Sequence, residues 1–418
     1  MSNSDGSNSE ESNSNNDIKL PNHLSNQNEQ VASVFKSMSD RNAELIGPAF
    51  KSMNDHNAEL LSSVSSSFSD QIKSILEPLE HLRINPYYFP EKIDSKIQLE
   101  NLKKSYREKK LVLVLGSGMS KDFGLPDWKN LSKALLSKHL ATSKTSNYSD
   151  YVADLLISYN SNFTVLVRNI HHNFKNNSET RTFEEFVRDV IYEKINDTRK
   201  HLSFDEIKKS INNLDSIITY NFDDTLDRYL ENGSRKIKTI YSTGVQPDGE
   251  ELPIYHVHGF LPRDEDLTPD NIITLSEYLY HQLYTDIYCW SNIIQINKFT
   301  NNICLFIGTS LNDPNLRRLL DVAKKLRNEK YSHYMLKTHV KQEPKDKEKI
   351  MDKVSEMCKE MEFPTKEKKE IFIEKCTEEF INRIERFEEE DAYSFGIEMI
   401  RIDGYDEIAT ILSKIRSS

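Results

Sequence analysis

Two histidines separated by one residue, His256 and His258, stand before Gly259 at the end of an apolar run. Residues two apart in a β-strand project from one face, so both imidazoles are expected to point the same way. Imidazole is well suited to act as a general base near neutral pH, and a neighbouring glycine lets a ligand approach closely. A hydrogen-bonded structural histidine is the alternative interpretation. Two histidines without a third ligand are weak evidence for zinc.

A second polar segment, residues 219–224, follows another apolar run and precedes a helical pattern. Its Asn221 can hold a ribose hydroxyl or a water molecule without being a base, and Asp223 can accept a hydrogen bond in the same region. Thr219, at the strand end, belongs to the same candidate site. The alternative is that these side chains cap the next helix.

Two glycine-containing loops also follow apolar runs. Glycines at a strand-to-helix turn let the backbone approach a pyrophosphate, and a helix N-terminus offers free N–H groups. The first loop matches neither GxGxxG nor GxxxxGK[ST], so it can be either a nucleotide-binding loop or a tight structural turn. In the second, Asp313 before Pro314 is typical of a helix N-cap and is interpreted as structural. The candidate ligand-binding residues of the two loops are Gly116, Ser117, Gly118, Met119, Ser120, Gly124 and Pro126, and then Gly308, Thr309 and Ser310.

The elements that must position these motifs follow from the apolar patterning. Continuous apolar runs predict strands buried on both faces at 111–115, 216–219, 254–257, 303–307 and 397–402. Helical patterns occupy 128–140, 151–195, 222–231, 276–299, 313–328 and 406–416. This alternation predicts an α/β fold with a Rossmann-like, doubly wound, mostly parallel sheet. Ligands bind such sheets at the carboxyl ends of the strands, where all four motifs lie.

Three further segments flank or interrupt the predicted 93–418 domain. Residues 1–17 contain six Ser and five Asn, which predicts a disordered tail. Residues 18–92 form a helical extension with a 15-residue internal repeat, from 35–45 to 50–60, suited either to packing on the chain itself or to homo-oligomerisation. Residues 341–391 are crowded with Lys and Glu and predict a charged helical insertion with a solvated face.

Composition excludes several classes of function. The formal net charge of -11 argues against a surface dedicated to nucleic-acid phosphates. No signal peptide pattern and no run of 18 apolar residues is present, which predicts a cytoplasmic protein without a membrane span. The cysteines lack metal-ligand spacing and are expected to be reduced thiols: Cys289, Cys304, Cys358 and Cys376.

Taken in order, the four motifs resemble the sirtuin-like NAD-cleaving domains of prokaryotic antiphage defence proteins. The sirtuin loop over the NAD phosphates and nicotinamide ribose resembles GSGMSKDFGLPDW, and the catalytic-Asn segment resembles TYNFDD. The catalytic His-Gly is similar to HG of HVHGF, and the late ribose- and adenine-side loop to GTSLNDP. The resemblance covers about 108–340 and resumes at 392–418. Protein-deacylating sirtuins carry a zinc module with two CxxC pairs, which this chain lacks, so deacylation is in doubt.

The resemblance implies that NAD is a substrate and that no metal is needed. His258 is then expected to be the base that draws on a ribose hydroxyl or the attacking water, Asn221 to orient that water and the ribose, and Asp223 to support them. The role of His256 stays open. The implied reaction is hydrolysis of NAD to nicotinamide and ADP-ribose by a homo-oligomeric defence effector, with a partner ATPase of the HerA type in some relatives. A non-catalytic NAD or ADP-ribose sensor and an ADP-ribosyltransferase are the alternatives.

Overall fold

The computed structural model describes residues 95–141, 146–159, 162–176, 181–196, 201–327 and 332–417. The chain divides into two units, Met1–Leu82 and Arg83–Ser418, and every described residue belongs to the second. The tail predicted at 1–17 and the repeat-containing extension predicted at 18–92 lie outside the described residues.

One parallel sheet organises the described residues. Its strands are β1 (Leu111–Leu115), β2 (Leu214–Thr219), β3 (Ile237–Ile240), β4 (Leu252–His256), β5 (Ile303–Ile307), β6 (His333–Thr338) and β7 (Ile397–Ile402). They lie in the order β3-β4-β2-β1-β5-β6-β7, and all six neighbouring pairs are parallel. The strand order therefore reverses between β1 and β5, which is the topological switch point of a doubly wound sheet.

Helices connect the strands and cover the sheet. They are α1 (Ser95–Arg107), α2 (Trp128–Leu140), α3 (Ser146–Tyr159), α4 (Phe163–Asn176), α5 (Phe183–Tyr192), α6 (Leu202–Ser210), α7 (Thr225–Leu230), α8 (Glu277–Thr285), α9 (Trp290–Asn301), α10 (Pro314–Arg327), α11 (Pro344–Met357), α12 (Lys366–Ser394) and α13 (Asp406–Arg416). None of the helices in the described ranges is both long enough and apolar enough to cross a membrane.

Strand β1 shows why the apolar runs are continuous. Leu111, Leu113 and Leu115 belong to one buried cluster, whereas Val112 and Val114 belong to a second. The first cluster includes residues of α1, α2, α4, α5, α6 and α13, and the second includes residues of α9, α10 and α12. Both faces of the strand are covered, which accounts for the apolar residue at every position along it.

The structure confirms the fold class and corrects several boundaries. The predicted helix at 151–195 is three helices, α3 to α5, and that at 276–299 is two, α8 and α9. Strands β3 and β6 were not predicted, because polar residues such as Lys238, Thr239 and Lys337 interrupt their apolar character. The predicted strand at 254–257 ends at His256, one residue early.

The charged segment predicted at 341–391 is the crossover connection between two neighbouring strands. Helices α11 and α12 join β6 to β7, and α12 carries buried Phe372, Cys376 and Ile381 on one side. The last turns of α12 contact α10, because Arg317 Nη1 and Nη2 donate to the Asp391 carboxylate at 2.7 and 2.8 Å. The segment is thus part of the α/β unit, with charges on its outer side.

Candidate active site

The loops after β1 and β5 meet at the switch point through their backbones. Gly116 N–H donates to the Ile307 carbonyl at 3.1 Å, and Gly118 N–H donates to the Gly308 carbonyl at 3.0 Å. A Cβ at Gly116 would lie 2.5 Å from the Gly308 oxygen, and Gly308 itself has a φ of 65°. These glycines therefore serve close loop packing, as expected for a tight turn, and two of their N–H groups are already used.

Asn221 is held from three sides just beyond β2. Its backbone N–H donates to Thr219 Oγ1 at 3.1 Å, and its Nδ2 donates to Ser120 Oγ at 3.0 Å and to the Gly116 carbonyl at 3.3 Å. A carbonyl can only accept, so the Gly116 contact fixes which end of the amide is Nδ2. The other end, Oδ1, is buried and has no hydrogen-bond partner among the described residues.

His256, at the end of β4, has both ring nitrogens engaged. Nδ1 lies 3.1 Å from the Asn221 carbonyl oxygen, and Nε2 lies 3.0 Å from Asp227 Oδ2 on α7. Burial lowers the pKa of this imidazole, but the charge and hydrogen bond of Asp227 outweigh burial and raise the pKa overall. His256 is thus a hydrogen-bonded imidazole that contacts the backbone of Asn221.

His258 has a different environment. It is 1% exposed, and neither ring nitrogen forms a hydrogen bond within the described residues. The rings of Trp128, Tyr220 and Tyr280 meet its imidazole edge to face, with centroids 6.1, 4.8 and 5.6 Å away. Burial lowers the pKa of His258, and a nearby carboxylate offsets only part of that shift, which favours the neutral imidazole.

That carboxylate is Asp313, which sequence reasoning assigned only a capping role. Its Oδ1 does cap α10, accepting from the N–H groups of Asn315 and Leu316 at 2.7 and 3.0 Å. Its Oδ2 accepts from the Tyr280 hydroxyl at 3.0 Å and lies 3.3 Å from His258 Nε2. The signal available in the sequence was the position of Asp313, on the loop after β5 at the carboxyl edge.

A narrow cleft lies at this edge, with about 360 Å³ of space including its open side. Asn221 and Asp223 line it, together with Trp128 and Tyr220, which also contact His258. Burial raises the pKa of Asp223, and the hydrogen bond that its carboxylate accepts from Thr225 N–H opposes this. Other predicted residues that line the cleft are Ser117, Ser120 and Pro126.

The remaining predicted residues divide into buried and open positions. Met119 and Thr219 are buried, and Thr309 Oγ1 is a buried oxygen without a hydrogen-bond partner in the described part of the chain. Ser310 is exposed. Gly124 has a φ of 84°, and a Cβ there would lie 2.3 Å from the Lys194 carbonyl oxygen, so this glycine permits close packing. Their contact with a ligand stays a prediction.

A second groove lies away from the predicted site residues. A wider groove between α9 and α10, about 1020 Å³ with its open side, has a mostly apolar lining and contains no predicted site residue. Within the residues the structure describes, no three His, Cys, Asp or Glu side chains form a group that can hold a metal ion.

Doubly wound parallel sheets bind their ligands at the switch point, where these polar side chains lie. Residues 215–357 match the family model described as SIR2-like domain, and the fold agrees with a sirtuin-like domain. SIR2-like domains bind NAD, so NAD-related chemistry is the general assignment. No curated protein matches the chain.

Proposed function

We propose that this protein hydrolyses NAD at the bond between nicotinamide and ribose. The observation that carries the proposal is a set of buried polar atoms that form no hydrogen bond within the described residues at the carboxyl edge of the sheet. They are Asn221 Oδ1, Thr309 Oγ1 and both ring nitrogens of His258, of which Nε2 lies 3.3 Å from Asp313 Oδ2. Leaving a buried polar atom unpaired costs about 1–3 kcal/mol, so such a set is expected where a ligand completes the hydrogen bonds.

The chemistry needs a neutral base and positioned oxygen acceptors. As the bond between ribose C1′ and the nicotinamide nitrogen breaks, its electron pair leaves with neutral nicotinamide and positive charge develops on the sugar. Water then bonds to C1′, and its proton passes to His258, whose lowered pKa favours the neutral form needed in a base. Asp313, 3.3 Å from Nε2, stabilises the imidazolium that results. Asn221 Oδ1 accepts a hydrogen bond from the water or from a ribose hydroxyl.

Access to His258 requires a local movement. The imidazole is 1% exposed behind Trp128, Tyr220 and Tyr280, so a ribose reaches it only after this aromatic cover shifts. We therefore propose that the enzyme alternates between a closed and an open site.

The wider proposal is a cytoplasmic, homo-oligomeric antiphage effector that depletes NAD when activated, with a HerA-type ATPase as a candidate partner.

The test is to incubate purified full-length protein with NAD and separate the products by chromatography. We expect free nicotinamide and ADP-ribose from the wild type, and a loss of about 10²-fold or more in Asn221→Ala and His258→Ala. The matched controls are Asn297→Ala and His281→Ala, which change exposed residues on α9 and α8 and should retain activity. NAD binding without turnover would contradict hydrolysis and favour a sensor. Label transferred to a macromolecule would favour an ADP-ribosyltransferase.

A further inference from the structure

A chain of hydrogen bonds runs from β3 to the backbone of Asn221. Thr239 Oγ1 donates to Asp227 Oδ1 at 2.6 Å, and Asp227 Oδ2 lies 3.0 Å from His256 Nε2. On the other side of the ring, His256 Nδ1 lies 3.1 Å from the Asn221 carbonyl oxygen. Thr239, Asp227 and His256 are not among the residues that line the cleft. The hydrogen bond from His256 to the Asn221 carbonyl joins them to the site.

The acceptors in this chain determine where its protons are. The Asn221 carbonyl can only accept, so His256 Nδ1 must carry a hydrogen. Asp227 Oδ1 already accepts from Thr239, and a carboxylate Oδ2 facing Nε2 requires a hydrogen on that nitrogen too. These contacts favour a His256 imidazolium paired with a carboxylate. Its raised pKa agrees with this geometry.

The contact constrains the one atom of Asn221 that is left for a ligand. Backbone N–H and side-chain Nδ2 are fixed by Thr219, Ser120 and Gly116, and the backbone carbonyl is fixed by His256. With three groups of the residue held, Oδ1 can point in only one direction. Displacing such a group by about 1 Å costs on the order of 10²-fold in rate.

We propose that His256 and Asp227 are positioning residues that hold the Asn221 amide oxygen in its reactive orientation. The inference rests on the proposed NAD hydrolysis, in which Asn221 orients the water or the ribose. It gives the first histidine of the HVHG motif a role distinct from that of His258.

Two substitutions of Asp227 separate positioning from simple stability. In Asp227→Asn, the new amide accepts from Thr239 and donates to Nε2 of a neutral His256, whose Nδ1–H still donates to Asn221. In Asp227→Leu, both hydrogen bonds are lost and the imidazole is released. We expect the Asn variant to keep kcat within about threefold of wild type, and the Leu variant to lose about 10–10²-fold in kcat.

The pH profile supplies a readout that a purely structural role would not move. The charged groups facing His256 are the carboxylates of Asp227, on α7, and Asp223, just before it. Wild-type kcat should fall at alkaline pH, when His256 has one hydrogen left for two acceptors. The Asp227 carboxylate attracts that hydrogen to Nε2, so Nδ1 no longer donates to the Asn221 carbonyl. In Asp227→Asn, a neutral His256 makes both hydrogen bonds. The kcat of this variant should therefore not fall in the same alkaline range, and its pH profile should lack this alkaline limb. An unchanged alkaline limb in Asp227→Asn would overturn the proposal, even if Asp227→Leu does not fold.

The control is a similar pair at the far side of the sheet. His339 Nδ1 lies 3.0 Å from Glu385 Oε2, outside the cleft, so Glu385→Gln and Glu385→Leu should change unfolding in urea but not kcat. Equal kcat in Asp227→Leu and wild type, both folded, would contradict positioning. If the wild type binds NAD without cleaving it, the proposed hydrolysis is wrong, but the positioning role of His256 and Asp227 is still open to test. The same Asp227 variants then test positioning through NAD affinity, which should fall about tenfold or more only in Asp227→Leu.

Discussion

The two histidines of the HVHG motif are almost equally buried, with side chains 0% and 1% exposed, yet their environments differ in kind. His256 lies between a carboxylate and a carbonyl, and its pKa is raised. His258 lies among aromatic rings without a hydrogen bond inside the described ranges, and its pKa is lowered. Because both rings are buried, the groups that contact each ring, and not its burial, distinguish a structural histidine from a reactive one.

The largest expected effect is on catalysis at His258. Replacing His258 with Ala should lower kcat for nicotinamide release by about 10²–10⁴-fold, because the general base is lost. Added imidazole should restore part of that rate by entering the space between the aromatic rings, whereas it should not rescue His256→Ala. Steady-state kinetics with and without imidazole make the measurement. Rescue of the His256 variant instead would reverse the assignment of the two rings.

Stability should respond most at His256. Replacing it with Ala leaves Asp227 as a buried carboxylate without its partner, and breaking such a pair costs about 3–5 kcal/mol in the free energy of unfolding. His258→Ala removes no hydrogen bond and should cost clearly less. Urea unfolding of the two variants, compared with wild type, measures the difference. Equal losses would mean that the His256 pair contributes nothing beyond packing.

The pH dependence of unfolding should have opposite signs for the two rings. The folded-state pKa of His256 is raised, so its stabilisation is complete below the unfolded-state value and disappears as pH rises through the folded-state value. The folded-state pKa of His258 is lowered, so its contribution is present above the unfolded-state value and disappears as pH falls through the folded-state value. Urea unfolding across pH should show His258→Ala losing less stability toward acid than wild type does. A steeper acid loss in that variant would contradict the environment described for His258.

The smallest expected pH effect is a shift in the acid limb of activity. Loss of the Asp313 carboxylate should also lower kcat, because this carboxylate stabilises the imidazolium. Asp313→Asn removes the charge that partly raises the pKa of His258, so this pKa should fall further and the acid limb should move to lower pH. Asparagine still caps α10, so the free energy of unfolding should change little. Activity measured against pH tests the direction. A limb that moves to higher pH would exclude Asp313 as the charge facing His258.

Sequence patterning predicted most of the sheet because the relevant forces act locally. Runs such as 111–115 and 303–307 must be apolar throughout when both faces of a strand are covered, and the structure confirms those two strands. Strands β3 and β6 were missed because their own residues carry a weak signal, and their neighbours in the sheet stabilise them. The helix break near 175–182 was missed although that run is polar throughout and interrupts the apolar spacing.

The sequence by itself determined the fold class, the strand-end location of the four motifs and the glycines needed where two loops touch. Only the tertiary structure decided which imidazole meets Asp227 and which meets Asp313. Strand alternation cannot set the direction of both rings, because β4 ends at His256 and does not extend to His258. Residue type and spacing constrain local conformation, but the pKa and hydrogen bonds of a buried ring depend on side chains that are distant in the chain.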